Sequence, residues 1–147
     1  MKRTTILLTF LMFGILAGTV HAQAPAAPGV FDIDSLLNEH QLVKGQDFRT
    51  DVIAWDSTSS VHLTQVESTV EMHHHVTHDE NVWIIRGAGR LTLGDQKLKV
   101  KAGQVVHIPR GTSHAFHNLG SNPAVVISVF SPGFDGKDRI YEEKAGK

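Results

Sequence analysis

Apolar and polar residues alternate along most of the chain after residue 47. The runs "RTDVIAW", "SVHLTQVES" and "TVEMHHHV" have a period of two, and "QVVHIP", "HAFHNL" and "AVVISVF" continue the series after the apolar run "NVWIIRG". A period of two places successive side chains on opposite faces, which predicts β-strands. The groups "RGAG", "PRGT" and "GSNP" are typical of the turns between them. About nine short strands at this spacing predict an all-β sandwich or barrel.

One pair of strands is predicted in detail. The run "RLTLGDQKLKV" is typical of a hairpin, with Leu91 and Leu93 pairing through the turn "GD" with Leu98 and Val100. The tail "SPGFDGKDRIYEEKAGK" is polar, and we expect it to be partly ordered. No repeat or second domain follows from the pattern, so residues 30–147 are predicted to form a single domain.

The N-terminal residues are typical of a signal for export of the protein and are not predicted to be part of the folded domain. Two basic residues, a short apolar run and the small residues of "VHAQA" are typical of a signal peptide, residues 1–22, with cleavage after Ala22. A retained membrane anchor is the alternative, but the apolar run is short for a span of about 20 residues. Residues 23–29 predict a flexible Pro/Ala linker. The stretch "DIDSLLNEHQLV" then predicts one short helix with Asp34 or Ser35 as N-cap.

Composition narrows the possible chemistry. The chain has 147 residues, 41% of them hydrophobic and 20% charged, with a formal net charge of −1. This balance is typical of a globular domain and offers no basic face for nucleic acid. Cysteine is absent. Any metal site must therefore use histidine or carboxylate ligands, and no disulfide can stabilise the fold.

A cluster of histidines lies in "EMHHHVTHDENVWIIRG". On a strand, His73 and His75 point to one face and His74 to the other. Glu80 follows after a short break. If that break turns the chain back, Glu80 lies beside the histidine pair, and three ligands come from two adjacent strands. His114, which follows the predicted turn "PRG", is the candidate for a fourth ligand.

The same residues fit two longer motifs, and through them the chain resembles the cupin superfamily. The first motif, HxH followed by Glu and Gly, is matched by His73, His75, Glu80 and Gly87. The second, G-x5-PxG-x2-H-x3-N, is matched by Gly103, Pro109, Gly111, His114 and Asn118. One position departs, since Glu67 stands where the family often has glycine. The resemblance covers about residues 48–131 and implies a small double-stranded β-helix, or jelly-roll barrel. It also implies one divalent metal ion bound by His73, His75, Glu80 and His114.

Three imidazoles and a carboxylate suit Fe, Mn, Ni, Cu or Zn and leave positions for water or substrate. Three further residues are candidates for substrate contact: Arg86, Trp83 and Phe116. Arg86 shares the strand parity of Glu80 and is the candidate anchor for an anion, although a solvated rim position is an equal alternative. Trp83 and Phe116 are strand aromatics, and for Trp83 packing is the favoured alternative to substrate stacking.

The other histidines are not predicted ligands. His78 is expected in an exposed turn, or else beside the entrance of the site. For His107 we expect a core position with one hydrogen bond, and for His117 a structural or surface role. His40 and His62 follow no pattern.

Three functions are compatible with these features. The first is a metal-dependent enzyme, an O₂-using oxidoreductase of the dioxygenase or oxidase type, with isomerases, decarboxylases and lyases as alternatives within the resemblance. The second is a non-catalytic module that binds a small molecule or sugar through the metal. The third is metal storage. We favour the enzyme, acting on a small oxygenated or carboxylate substrate. We also expect a periplasmic or secreted homodimer, with no nucleic-acid partner and no membrane contact after signal cleavage.

Overall fold

The alternating runs form ten strands, and the predicted helix precedes them. The elements are α1 Ile33–Glu39, β1 Phe48–Trp55, β2 Ser60–Val66, β3 Thr69–His74, β4 Asp79–Arg86, β5 Ala88–Leu93, β6 Gln96–Lys101, β7 Val105–Ile108, β8 His114–Asn118, β9 Ala124–Ser131 and β10 Ile140–Tyr141. This computed structural model describes residues 28–142. The predicted signal peptide and residues 23–27 of the predicted linker lie outside that range. No helix within it is long and apolar enough to cross a membrane.

The strands form two five-stranded antiparallel sheets. One has the order β1-β2-β9-β4-β7, and the other has the order β10-β3-β8-β5-β6. Several strands that are consecutive in sequence, such as β3 and β4, lie in different sheets. The two sheets enclose a core of buried side chains from both of them: Ile84, Leu91, Val100 and Val126. The predicted all-β jelly-roll with one short N-terminal helix is confirmed.

The β5–β6 hairpin forms, but only two of the four predicted residues pair with each other. Leu91 pairs with Leu98, whereas Leu93 faces Gln96 and Val100 faces Gly89. A two-residue turn requires Leu93 and Gln96 to be opposite each other, and every later pair follows from that register.

The helix begins earlier than predicted. Its N-cap is Asp32, whose side chain accepts a hydrogen bond from the Ser35 backbone N–H at 2.8 Å. Asp34, one of the two predicted caps, lies in the first helical turn. The segment after the helix covers the outer face of β2, because the buried Gln65 side chain donates to the His40 carbonyl at 2.6 Å.

Candidate metal centre

Strands of opposite sheets bring the predicted ligands together. His73 and His114 are directly opposite each other on the neighbouring strands β3 and β8, and His75 directly follows β3. Glu80 comes from β4 in the facing sheet. The expectation that β3 and β4 are adjacent strands was wrong, because residues 75–78 connect one sheet to the other. Glu80 therefore reaches the histidines across the barrel.

A glycine turn fixes the approach of β8. Gly111 has a φ of +77°, a conformation that residues with a side chain rarely adopt. Its backbone N–H donates to the His75 carbonyl at 2.6 Å. The turn between β7 and β8 is thus bonded to the chain that carries His75, and it delivers His114 to the same place. This explains physically why the second motif needs glycine here.

The side chains form a compact, buried group. Ligand nitrogens of His73, His75 and His114 all lie within 4.8 Å of one another, a cluster that could hold a metal ion. The Glu80 Oε2 atom lies 3.7 Å from His75 Nε2 and 3.3 Å from His114 Nε2. All four residues are at most 7% exposed, so water does not solvate them freely.

Backbone carbonyls set the protonation of the three rings. The Nδ1 atoms of His73 and His114 lie 2.8 and 2.9 Å from the carbonyls of Glu71 and Thr112, and His75 Nδ1 contacts the Asp138 carbonyl. A carbonyl only accepts hydrogen bonds, so each Nδ1 must donate, and in a neutral ring the lone pair then lies on Nε2.

The Nε2 atoms of His75 and His114 are buried and have no hydrogen-bond partner. In the neutral form of the two rings, these atoms point their lone pairs at the Glu80 carboxylate oxygen. Lone pairs and a carboxylate repel each other, so the arrangement requires a cation between them. This arrangement fits a divalent metal ion.

The electrostatics favour the metal-binding forms. Burial and, to a smaller extent, the nearby His114 ring together lower the pKa of His73 to about 3. Burial likewise lowers the pKa of His75. For Glu80, burial alone would raise the pKa, but positive charge at the His114 ring and a hydrogen bond with Ser128 outweigh it, so the pKa lies below its ordinary value. A metal ion at the same point would supply that positive charge in place of a proton. Neutral imidazoles beside an ionised carboxylate are the forms that bind metals.

The chain tail closes one side of this site. We call residues 132–142 the C-terminal strap. Its last part, β10, pairs with β3 at His73 and His74. The carboxylate of Asp138 accepts hydrogen bonds from the backbone N–H groups of Val76 and Thr77 at 2.9 and 2.8 Å. The tail was expected to be partly ordered; in the described part of it, Asp138 is bonded to the loop that carries His75, and residues 140–142 are bonded to β3.

Aromatic packing supports the strap from the other side. Phe134 stacks on Phe130 with ring centroids 4.5 Å apart, and the edge of the His75 ring packs against both. The Phe134 backbone N–H donates to Ser60 Oγ at 2.9 Å, and Ser60 also bonds His62. His62 is buried and hence has a pKa lowered to about 4. The sequence pattern missed this supporting role of His62.

A cavity of about 80 Å³ adjoins the candidate ligands. Of the three predicted substrate residues, Phe116 lines it, together with His73, Glu80 and His114. Trp83 and Arg86 do not. Trp83 is 42% exposed, and Arg86 forms an ion pair with Asp34. The register between β4 and β9 shifts between Ile84 and Arg86, which breaks the parity that related Arg86 to Glu80.

Comparisons with known proteins identify the family of this chain. The family model for the cupin domain matches residues 60–130. An uncharacterized protein of Aquifex aeolicus is 32% identical over 114 residues, which cover 76% of this chain and 91% of the relative. The chain belongs to the cupin superfamily.

Two solved structures share this cupin fold. A double-stranded β-helix protein of unknown function from Klebsiella pneumoniae has a TM-score of 0.67 at 21% identity, covering 80% of this chain and 100% of that one. Oxalate decarboxylase from Lactobacillus farciminis, in a formate complex, has a TM-score of 0.59 at 18% identity. That match covers 71% of this chain and 34% of the decarboxylase. At these identities the likeness concerns the fold alone.

Four other histidines of this cupin lie outside the cluster, three of them on the outside of the strands and one buried in the loop after β3. His74 points away from the cluster, with Nδ1 4.0 Å from Glu142, and His117 is exposed. His78 was expected in an exposed turn but is 8% exposed, because Asp138 accepts from its Nδ1 at 2.5 Å. His107 was expected in the core but is exposed on β7, where it bonds Asn81. Only one face of this edge strand is covered, and Val106 and Ile108 line the cavity on that face.

Removing bound metal should lower the melting temperature of this cupin by about 10 °C. An ion that binds only the folded chain, and whose free concentration is about 100 times its Kd, stabilises the fold by roughly 2.7 kcal/mol. Thermal unfolding before and after chelation measures this, with metal loss checked by elemental analysis. The His75→Ala variant is the control and should melt alike in both conditions. An unchanged melting temperature in the parent protein after proven metal loss would contradict an integral site.

Proposed function

We propose that this cupin is a metal-dependent oxidoreductase that uses O₂ and acts on a small oxygenated or carboxylate substrate. The observation that carries the proposal is the pair of buried, unpartnered Nε2 atoms of His75 and His114, facing an ionised Glu80 beside a cavity. When bound, Fe or Mn would supply Lewis acidity and a redox centre; Ni, Cu and Zn also suit these ligands.

The chain's own residues would hold and enclose the substrate. Apolar side chains line most of the cavity wall, including Phe116, Val82 and Ile108. Such a wall excludes water and strengthens the electrostatic contacts of a bound polar group. The backbone carbonyls bonded to the three imidazoles keep each ring in one tautomer and orientation, so that all the ligands remain aimed at one point.

The proposal is tested by oxygen uptake. The purified protein is freed of metal, reloaded separately with Fe²⁺, Mn²⁺, Ni²⁺, Cu²⁺ or Zn²⁺, and supplied with a panel of small hydroxy and keto acids. We expect substrate-dependent O₂ consumption with Fe²⁺ or Mn²⁺ and none in the His75→Ala variant. Turnover of a substrate without O₂ consumption would instead support a decarboxylase, lyase or isomerase. The oxalate decarboxylase likeness makes this the second candidate.

Tight binding without turnover by any metal form would replace the enzyme with a non-catalytic binding module for a small molecule or sugar. In that case the metal would orient the ligand, and the dry cavity would provide specificity. Binding of metal alone, with no organic ligand retained, would indicate storage.

We further propose that the protein is exported and acts as a periplasmic or secreted homodimer. Trp83 and Val105, which pair across β4 and β7, are 42% and 54% exposed, and Ile85 adds to this apolar outer face. Burial of such a face against a second copy would remove it from water. Light scattering should give twice the protomer mass, and the N-terminus of the mature protein should be Gln23. A monomer at micromolar concentration would contradict the dimer.

A further inference from the structure

Arg139 of the C-terminal strap brings a cation to the cavity. Its side chain lines the same cavity as His73, Glu80 and His114. The guanidinium carbon lies 5.4 Å from the ring centroid of Phe48 and 5.8 Å from that of Phe134. Two aromatic faces thus hold the group in place from different parts of the chain. A guanidinium fixed in this way loses little further freedom when it binds a ligand.

Within residues 28–142, this guanidinium has no acidic partner. Its Nε atom is buried and has no hydrogen-bond acceptor. By contrast, Arg49, Arg86 and Arg110 each form an ion pair with an aspartate. Burying an N–H group of a charged guanidinium without an acceptor costs free energy, because the lost contacts with water are not replaced by a hydrogen bond. The unpaired Arg139 Nε therefore indicates a group that completes it.

The charge of the cavity indicates which kind of ligand would pair with the Arg139 guanidinium. Glu80 is the one acidic residue among the lining residues of the described chain, and it is directed at His75 and His114. A divalent metal at the histidine cluster, together with Arg139, exceeds the single negative charge of Glu80 by two units. The cavity therefore favours an anionic ligand.

The size and wall of the cavity narrow the ligand class. A volume of about 80 Å³ accommodates roughly five to eight water-sized groups, at 10–15 Å³ for each. Most of the wall is apolar, so a fully hydrated inorganic anion fits it poorly. A small organic acid fits both the guanidinium and the apolar wall. Its carboxylate can accept two parallel N–H hydrogen bonds from the guanidinium, and its carbon atoms can contact the wall.

We infer that Arg139 is the anion anchor of the site, and that the ligand is a small carboxylate that extends from the histidine cluster to this guanidinium. This inference rests on the proposed function, because it places the ligand beside the proposed metal. It also replaces Arg86, the anchor predicted from strand parity, with a residue nine positions beyond the end of the family match.

The test compares two ligands of the same shape, DL-lactate and the neutral DL-lactamide. Calorimetric titration is carried out on zinc-loaded parent protein, on Arg139→Gln and on the control Arg90→Gln, which removes the same charge from an exposed position of β5. Zinc per protomer is measured first in each sample. We expect Arg139→Gln to weaken lactate binding at least tenfold and lactamide binding less than twofold, with Arg90→Gln unchanged.

Each alternative result is distinguishable. Equal weakening of both ligands would assign Arg139 a purely structural role through Phe48 and Phe134, and would overturn the inference, as would unchanged lactate binding. Arg139→Lys keeps the charge and should lose less lactate affinity than Arg139→Gln, which separates charge from folding effects. Failure to hold zinc would contradict the proposed function instead. The titrations are then repeated on metal-free protein, where lactate should still be preferred to lactamide in the parent and not in Arg139→Gln.

Discussion

Alanine at His73, His75 or His114 should leave the folded protein with less than about a tenth of the metal that the parent protein holds under the same loading. Loss of a residue that only orients a ligand typically weakens metal binding 10–100-fold, so loss of the ligand itself should cost at least as much. Each imidazole is also held in place by a hydrogen bond to its own backbone carbonyl. Elemental analysis of the desalted, folded variants gives the metal content per protomer.

His74→Ala is the matched control, because it removes a histidine from between two proposed ligands while its ring points away from them. It should retain the parental stoichiometry. Glu80→Ala should weaken binding less than the histidine variants when the metal is Cu or Zn, for which nitrogen ligands matter more. Metal loss in His74→Ala with retention in His75→Ala would show that the ligand assignment is out by one residue.

Asp138→Ala should lower the free energy of unfolding of the metal-free protein by about 2–4 kcal/mol. The Asp138 carboxylate accepts hydrogen bonds from two backbone N–H groups, from Thr77 Oγ and from His78 Nδ1. Burial acts to raise its pKa, but these bonds together hold the pKa well below its ordinary value. Without the carboxylate, the loop that carries His75 loses these four side-chain hydrogen bonds to the C-terminal strap. Urea unfolding gives the difference in free energy.

The same strap supplies the control for this variant. Asp135 accepts hydrogen bonds from the backbone N–H and Nζ of Lys137, and both residues lie at the surface. Asp135→Ala should therefore change the unfolding free energy by less than about 0.5 kcal/mol. Equal effects of the two substitutions would contradict the role assigned to Asp138. Metal affinity should also fall roughly tenfold in Asp138→Ala alone. The variant keeps the backbone carbonyl that orients His75, but that carbonyl is less firmly placed once the side-chain bonds to the loop are lost.

Much of the fold could be predicted because strand signals are local. Alternation and turn residues were enough to place the strands β1 to β9 and the β5–β6 hairpin. The same period of two brought His73 and His75 to one side and His74 to the other. The second motif added His114, whose approach depends on the positive φ of Gly111.

The parts that the sequence did not reveal depend on long-range contacts. Asp138 bonds residues about 60 positions earlier, and no local pattern connects that polar tail to a histidine loop. His78 and Arg139 become important only through this connection. Arg86 does not line the cavity for a different reason: a register shift in β4 interrupts the alternation from which its position was predicted. Parity arguments hold only as far as the strand remains regular.

X-ray absorption of the zinc-loaded protein tests most directly whether His73, His75, His114 and Glu80 bind one metal ion. The spectrum should show one zinc per protomer with three imidazole nitrogens at about 2.0 Å and at least one oxygen, and His75→Ala should reduce the imidazole contribution or remove the zinc. Zinc bound by one imidazole or none, or a spectrum identical in His75→Ala, would contradict this ligand assignment.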